Sequence, residues 1–103
     1  MTPQIAKTLA KTLLPEAKLW IRRSSASLDS EVEQTVAACL MDLGVVGIKK
    51  IDAEDPLIQQ AAKLYLKAQF GSDEKAERWE MFYEQLKSAL ALSGEYTTEA
   101  ADG

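Results

Sequence analysis

The clearest alternation of apolar and polar positions lies between residues 55 and 96, where apolar side chains recur at helical spacing in two successive segments. Asp55 followed by Pro56 is a strong helix start, because aspartate caps a helix and proline suits its first position. We therefore predict a helix over residues 55–70, which Gly71 ends.

A second helix is predicted over residues 73–92, with Ser72 or Asp73 as its cap. The turn between the two helices is so short that they must be antiparallel neighbours. The first of these two helices is apolar around much of its circumference, so we expect it to lie at the centre of the bundle. The core positions predicted in this pair are Ile58, Ala62, Tyr65, Trp79, Phe82, Tyr83, Leu86 and Leu90.

A further helix is predicted upstream, over residues 28–44. Asp29 or Ser30 can cap it, Ser30 and Glu33 form a capping box, and Gly44 is a natural stop. Its predicted core positions are Val32, Val36 and Leu40.

The N-terminal region has two possible arrangements. Residues 1–14 carry a weak helical stripe of Ile5, Leu9 and Leu13. Pro15 can begin a fresh short helix that ends in Arg22 and Arg23, with Leu19 and Trp20 pointing inward. The two pieces could also form one kinked element, and the pattern leaves both arrangements open.

Together these elements predict an all-α fold, a small bundle of about four helices in which the last two form an antiparallel hairpin. A long loop separates the second helix from the third. We divide the chain into an N-terminal arm or extra helix at 1–14, a helical domain at 15–94 and an acidic, flexible tail at 95–103.

The loop over residues 44–54 is too apolar to be a free loop. Its apolar side chains could fold back on the core or meet another subunit. They are Val45, Val46, Ile48 and Ile51. Lys49 and Lys50 could contact a nucleic-acid backbone, although solvated lysines are the better interpretation of so short a basic run.

Composition narrows the possible chemistry. The 103 residues fit one domain, and the absence of histidine excludes Ser-His-Asp and Cys-His mechanisms within the chain. The single cysteine, Cys39, lies on an apolar stripe and is expected to be a buried, inert thiol. We find no phosphate-binding, cofactor or metal-ligand motif and no apolar run of about 20 residues that could span a membrane. We therefore expect no enzyme activity, no cofactor and no metal.

The net charge of −4 is unevenly distributed, with +4 over residues 1–23, −3 over 24–70 and −5 over 71–103. Such asymmetry suggests a polar contact with a partner or a neighbouring copy. Ordinary solvated helix faces explain it equally well.

The order of these segments resembles that of the small head–tail connector proteins of tailed bacteriophages and prophages, also called head-completion or adaptor proteins. The resemblance covers residues 14–96. It is carried by Leu28-Asp29, the Asp55-Pro56-Leu57-Ile58 start, Tyr65-Leu66-Lys67-Ala68, Phe70-Gly71, and Tyr83 with Leu86, Lys87 and Leu90.

This resemblance implies a structural subunit without enzyme activity. Copies of the chain would form a ring under the portal that extends the DNA channel and joins head to tail. The implied partners are further copies, the portal protein and the next tail-side connector or stopper, while DNA passes through without being read. Assembly would take place in the bacterial host cytoplasm, and the final location would be the head–tail junction of the virion.

Contacts with other subunits are expected from the segments around the helical hairpin. The basic start and the acidic end of the chain form a complementary pair for a heterologous interface that closes into a ring. Candidate subunit or portal contacts are Arg22, Arg23, Val45, Val46, Ile48, Lys49, Lys50, Ile51, Glu95 and Tyr96.

Two alternatives remain, a small helical DNA-binding regulator and a generic helical interaction module. No predicted helix carries the cluster of Arg, Lys, Asn and Gln that reads DNA. The helix after Gly71 is rich in glutamate, which phosphates would repel.

Overall fold

The computed structural model describes residues 1–71 and 73–98. Within them the chain forms five α-helices and one short 3₁₀ turn, with no β-strand. The helices are α1 (Pro3–Trp20), α2 (Asp29–Val45), α3 (Pro56–Phe70), α4 (Asp73–Leu92) and α5 (Gly94–Thr97). The predicted all-α class, a small helical bundle, is confirmed.

α1 is one continuous helix that runs through Pro15. Thr2 caps it by accepting a hydrogen bond from the Ile5 N–H at 3.2 Å, and Pro3 occupies its first turn. Pro15 is exposed, and so is Lys11, whose carbonyl group would have accepted the missing N–H. Water can hydrate that carbonyl, so the helix does not end there. Of the two arrangements that the sequence left open, the structure has the single element rather than a fresh helix at Pro15.

Three alanines and one leucine form the buried face of α1, which packs on α2 and α3. The side chains that it buries are Ala6, Ala10, Leu13 and Ala17. The predicted stripe fits only in part, because Ile5 is exposed and Leu9 is half-buried. Leu19, which we expected to point inward, is 76% exposed. Alanines at this spacing let two helix backbones approach closely.

The start of α2 differs from the predicted cap. Neither Asp29 nor Ser30 caps the helix by a side-chain hydrogen bond, and the 3₁₀ turn Ala26–Leu28 leads directly into it. Asp29 instead pairs with Lys18 of α1, with Oδ1 and Nζ 2.7 Å apart. The buried Oδ1 accepts no hydrogen bond of standard geometry, so this contact is an ion pair. It joins the end of α1 to the start of α2.

The end of α2 lies beyond the predicted stop. The Ile48 N–H donates to the Leu43 carbonyl at 3.2 Å and the Gly47 N–H to the Gly44 carbonyl at 3.1 Å. This is a Schellman motif, and Gly47 supplies the positive φ of 97° that it requires. Gly44 lies inside the helix, where a Cβ would come within 2.9 Å of the Met1 Cβ. Gly44 therefore allows the N-terminus to pack on α2.

Both ends of α3 lie where they were predicted. The Asp55 Oδ1 accepts hydrogen bonds from the N–H groups of Leu57 at 2.8 Å and Ile58 at 3.4 Å, and Gly71 follows the last helical residue. The predicted cap of α4, the side chain of Ser72 or Asp73, lies outside the described part of the chain.

The last two long helices are antiparallel. Tyr65 of α3 meets Tyr83 of α4, with ring centroids 5.0 Å apart, while Lys67 meets Trp79, with Nζ 4.9 Å from the ring centroid. Residues later in α3 thus contact residues earlier in α4, as a two-residue connection requires.

The core lies between α1, α2, α3 and the inner face of α4. Of the predicted core positions, the structure buries Val32, Val36, Leu40, Ile58, Ala62, Tyr83 and Leu90. Tyr65, Trp79 and Leu86 are partly buried against this core. Phe82 is 38% exposed and does not lie in it, because the adjacent Tyr83 takes the inward position and Phe82 lies about 100° away around the helix.

Candidate functional site

The described residues provide no obvious chemical centre. Among them, no group of His, Cys, Asp and Glu could hold a metal ion. In the same residues, no helix has the length and apolar character needed to cross a membrane. Burial raises the pKa of Cys39 to about 12, which keeps this thiol protonated and unreactive.

A polar cluster links α2 to α4. The Tyr83 hydroxyl donates to the Asp42 Oδ2 at 2.7 Å, and the Lys87 Nζ donates to the same oxygen at 3.0 Å. Burial works to raise the pKa of Asp42, but the hydrogen bonds from Tyr83 and Lys87 outweigh it and the pKa is lowered. Burial raises the pKa of Tyr83, so a neutral phenol faces a charged carboxylate.

This cluster borders an open groove of about 510 Å³ between the second half of α2, the second half of α3 and α4. We call it the α2–α4 groove. Tyr83 and Lys87 contribute to its lining, and its other lining residues include Met41, Val45, Tyr65, Ala68, Glu80 and Glu84. Val45 is 79% exposed at the edge of this groove.

A second cluster joins the loop after α2 to the end of the chain. The Tyr96 carbonyl accepts from the backbone N–H groups of Lys49 at 2.7 Å and Lys50 at 3.1 Å. The Tyr96 hydroxyl contacts both Asp55 oxygens, at 3.0 and 2.9 Å. Lys50 also pairs with Glu95 at 3.3 Å. Asp55 therefore caps α3 and also anchors the C-terminal segment.

The structure separates the candidate contact residues into groups. Arg22 and Arg23 are exposed at the end of α1, whereas Val45 and Val46 are exposed at the end of α2. Lys49, Lys50 and Glu95 surround Tyr96 in the second cluster. The structure does not bring these three groups into one continuous site.

Three of the candidates are not available as surface. Ile48 is 2% exposed, and Ile51 and Tyr96 are also buried in the core of their own chain. The apolar loop therefore folds back on the core at Ile48 and Ile51, which is one of its two predicted alternatives. Burial of these two side chains removes more apolar surface from water than exposure in the loop would. Residues 95–98, which we expected to belong to a flexible tail, are packed against the loop through α5. Residues 99–103 of that tail lie outside the described residues.

Sequence reasoning missed the polar cluster and the exposure of Leu19. Tyr83 and Lys87 are four residues apart on a helix and so share a face, a spacing that is visible in the sequence. Their partner Asp42 is more than 40 residues away, and no local pattern identifies it.

The Tyr96 hydroxyl should contribute measurably to stability. We expect Tyr96→Phe to lower the free energy of unfolding by about 1.5–3 kcal/mol near neutral pH, because it removes a partly buried hydrogen bond to a carboxylate. Urea denaturation of both proteins measures this difference. The control is Glu95→Gln, which removes only an exposed ion pair and should cost less than about 1 kcal/mol.

The same variant gives a test by pH. Burial, then the hydrogen bond to Asp55, raises the pKa of Tyr96 to about 12, above the value of about 10 in an unfolded chain. A raised folded pKa contributes stability that is complete below about pH 10 and is lost as the pH rises towards 12. The difference between wild type and Tyr96→Phe should shrink over that interval. A difference that stays constant up to pH 12 would contradict the hydrogen bond.

These features define the class of protein. The described residues form a small all-α bundle, and large apolar side chains such as Leu19, Val45 and Leu92 are exposed on it.

The chain belongs to the phage connector protein family, whose model matches residues 15–97. The matched region contains the end of α1 and all of α2, α3, α4 and α5. The family resemblance predicted from sequence is thereby confirmed. Phage connectors are structural proteins of the head–tail junction and associate with other virion components. No curated protein and no solved structure matches the chain.

Proposed function

We propose that the protein is a head–tail connector subunit whose copies form a ring beneath the portal of a tailed phage or prophage. The ring extends the DNA channel and contacts the portal on one side and the next tail-side connector or stopper on the other. The observation that carries this proposal is the family match over residues 15–97.

The distribution of charge supports head-to-tail assembly. Arg22 and Arg23 are exposed just beyond the end of α1. Glu80 and Glu84 are exposed on α4. A ring needs two different surfaces that complement each other, and opposite charges at the end of α1 and on α4 provide such a pair.

The acidic character of the chain also suits a DNA channel. A protein with a net charge of −4 does not hold phosphates strongly, so DNA can pass without being retained or read. A DNA-binding regulator is less well supported, because the exposed glutamates of α4 would repel the backbone. Assembly in the bacterial host cytoplasm, before incorporation into the virion, forms part of the same proposal.

The test is binding to portal particles of the phage whose genome encodes the chain. When portal particles are mixed with the protein and sedimented, the protein should enter the pellet at a fixed number of copies per particle. Light scattering should show a corresponding gain in particle mass. An unrelated acidic helical protein of similar size is the control. Failure to bind these particles at micromolar concentrations would contradict the proposal, whether or not the free protein is monomeric.

A further inference from the structure

We infer that the end of α1 in one copy docks into the α2–α4 groove of the next copy. This inference rests on the proposed function, in which copies assemble head to tail, and it identifies the two surfaces that meet. We define the α1 tip as Leu19, Arg22 and Arg23, which follow one another within about one helical turn.

The α1 tip combines an exposed apolar side chain with two positive charges. Leu19 is 76% exposed, and both arginines are exposed beside it. The Arg22 N–H donates to the Leu19 carbonyl at 3.1 Å and the Arg23 N–H to the Lys18 carbonyl at 2.9 Å. These bonds fix the backbone, so the tip is presented in a defined conformation.

Arg22 occupies a position that normally favours glycine. Its φ is +55°, in the left-handed region, at the residue where a Schellman motif usually has glycine. A side chain in this conformation costs about 1 kcal/mol relative to an unstrained backbone. Folding of the subunit alone would favour glycine, which has no side chain, at this position. An arginine here is consistent with a contact made outside the subunit.

The α2–α4 groove has the complementary chemistry. Met41, Val45 and Ala68 provide apolar lining for Leu19. The charged lining residues are Asp42, Glu80, Glu84 and Lys87, three acids against one base, so the net charge of the groove is −2. The one base, Lys87, is already paired with Asp42 and Glu84 at 3.0 and 3.1 Å. The groove therefore keeps a net negative charge, which can attract the positively charged tip.

The tip and the groove lie at opposite ends of the α1–α2 pair. Lys18 meets Asp29 at one end, whereas Met1 lies against Gly44 at the other. The 17 residues of α2 span about 25 Å, so a copy cannot fill its own groove with its own tip. The contact therefore joins two copies, and when each copy gives its tip to the next one, repetition closes into a ring if the rotation between copies permits.

The decisive experiment is a charge exchange between the two surfaces. Self-association of the full chain is measured by sedimentation velocity at low salt, free and on portal particles. We expect Arg22→Glu with Arg23→Glu to weaken association at least about tenfold, and Glu80→Lys with Glu84→Lys to do the same. The protein with all four substitutions should recover to within about threefold of wild type, because opposite charges face each other again.

Matched variants control for charge alone. Lys7→Glu with Lys11→Glu changes two exposed bases of α1 outside the tip, and Glu74→Lys with Glu77→Lys changes two exposed acids of α4 outside the groove. Both should keep association within about threefold of wild type. Circular dichroism and thermal unfolding establish that every variant is folded.

A cysteine cross-link gives an independent readout at the apolar contact. Leu19→Cys protein is mixed with Val45→Cys protein under mild oxidation, and the control mixture pairs Leu19→Cys with Leu92→Cys. Leu92 is 88% exposed near the end of α4 and does not line the groove. The first mixture should give at least about fivefold more mixed dimer than the control, because docking brings Leu19 to Val45 at high effective concentration.

The outcomes separate this inference from the proposed function. Wild-type protein that assembles on the portal, with no rescue by the fourfold exchange and no preferential cross-link, would overturn groove docking and leave the connector role intact. Wild-type protein that neither self-associates nor binds the portal would overturn both. Rescue together with the cross-link would establish that the tip and the groove are the contact.

Discussion

Removal of residues 1–14 should lower the free energy of unfolding by at least about 4 kcal/mol, a large share of the roughly 5–15 kcal/mol of a typical domain. This segment places Ala6, Ala10 and Leu13 in the core. Burial of one leucine and two alanines contributes about 3 kcal/mol, and the surfaces of α2 and α3 that they cover would become exposed as well. Residues 1–14 precede the region that the family model matches, yet they supply three of the buried core side chains.

The measurement is urea denaturation of the full and shortened chains. Ala10→Glu offers a second, milder probe, because it brings a charge into the interface of α1 and should cost more than about 3 kcal/mol. Its control is Lys11→Glu on the exposed face, which should change stability by less than about 0.5 kcal/mol. A shortened chain as stable as the full one would show that residues 15–103 fold independently.

The part of the fold that sequence predicts well is the part governed by neighbouring residues. Asp55 and Pro56 start α3 through contacts within three residues, and Gly71 follows its last turn. Since the connection to α4 is only two residues long, the antiparallel arrangement follows from its length. No distant contact is needed for any of these predictions.

α1 was harder to predict because its contacts depend on the shape of other helices. A search for large apolar residues favours Ile5 and Leu19, but the close approach of α2 selects alanines instead. Pro15 is an equally ambiguous signal, because its effect depends on whether the Lys11 carbonyl faces solvent or the core. Only the packed structure decides both questions.

The candidate contact surface shows the same limit. Ile48 and Ile51 look like interface residues when their sequence neighbours alone are considered, yet both complete the core of their own chain. The loop is held by Tyr96, whose hydroxyl reaches Asp55 across 41 positions of sequence. The exposure of a charged residue is easier to predict from the sequence, and the Arg22 side chain is indeed exposed just after α1.

Tyr83→Ala should be among the most destabilising single substitutions, with a loss of about 3–5 kcal/mol in the free energy of unfolding. It removes a buried ring that meets Tyr65 edge-on and takes a hydrogen bond away from the partly buried Asp42. Phe82→Ala is the matched control, an aromatic residue one position away that is 38% exposed. It should cost about 1 kcal/mol, because its ring is not enclosed by the core.

Tyr83→Phe divides the effect between the ring and the hydroxyl. It keeps the packing and should cost about 1.5–3 kcal/mol near neutral pH, since the lost hydrogen bond ends on a carboxylate. The pKa of Asp42 is lowered in the folded state, so the stability from this contact is present above about pH 4 and is lost as the pH falls through the folded value. The difference between wild type and Tyr83→Phe should therefore shrink in acid.

These variants also connect the core to the groove. Tyr83, Asp42 and Lys87 line the α2–α4 groove while they join α2 to α4, so loss of the tyrosine ring should alter the docking surface as well as stability. Tyr83→Ala should therefore weaken self-association at temperatures where the variant is still folded, whereas Phe82→Ala should not. Sedimentation velocity well below the midpoint of thermal unfolding separates the two effects. If Tyr83→Ala and Phe82→Ala self-associate with equal strength, the groove does not take part in the contact between copies.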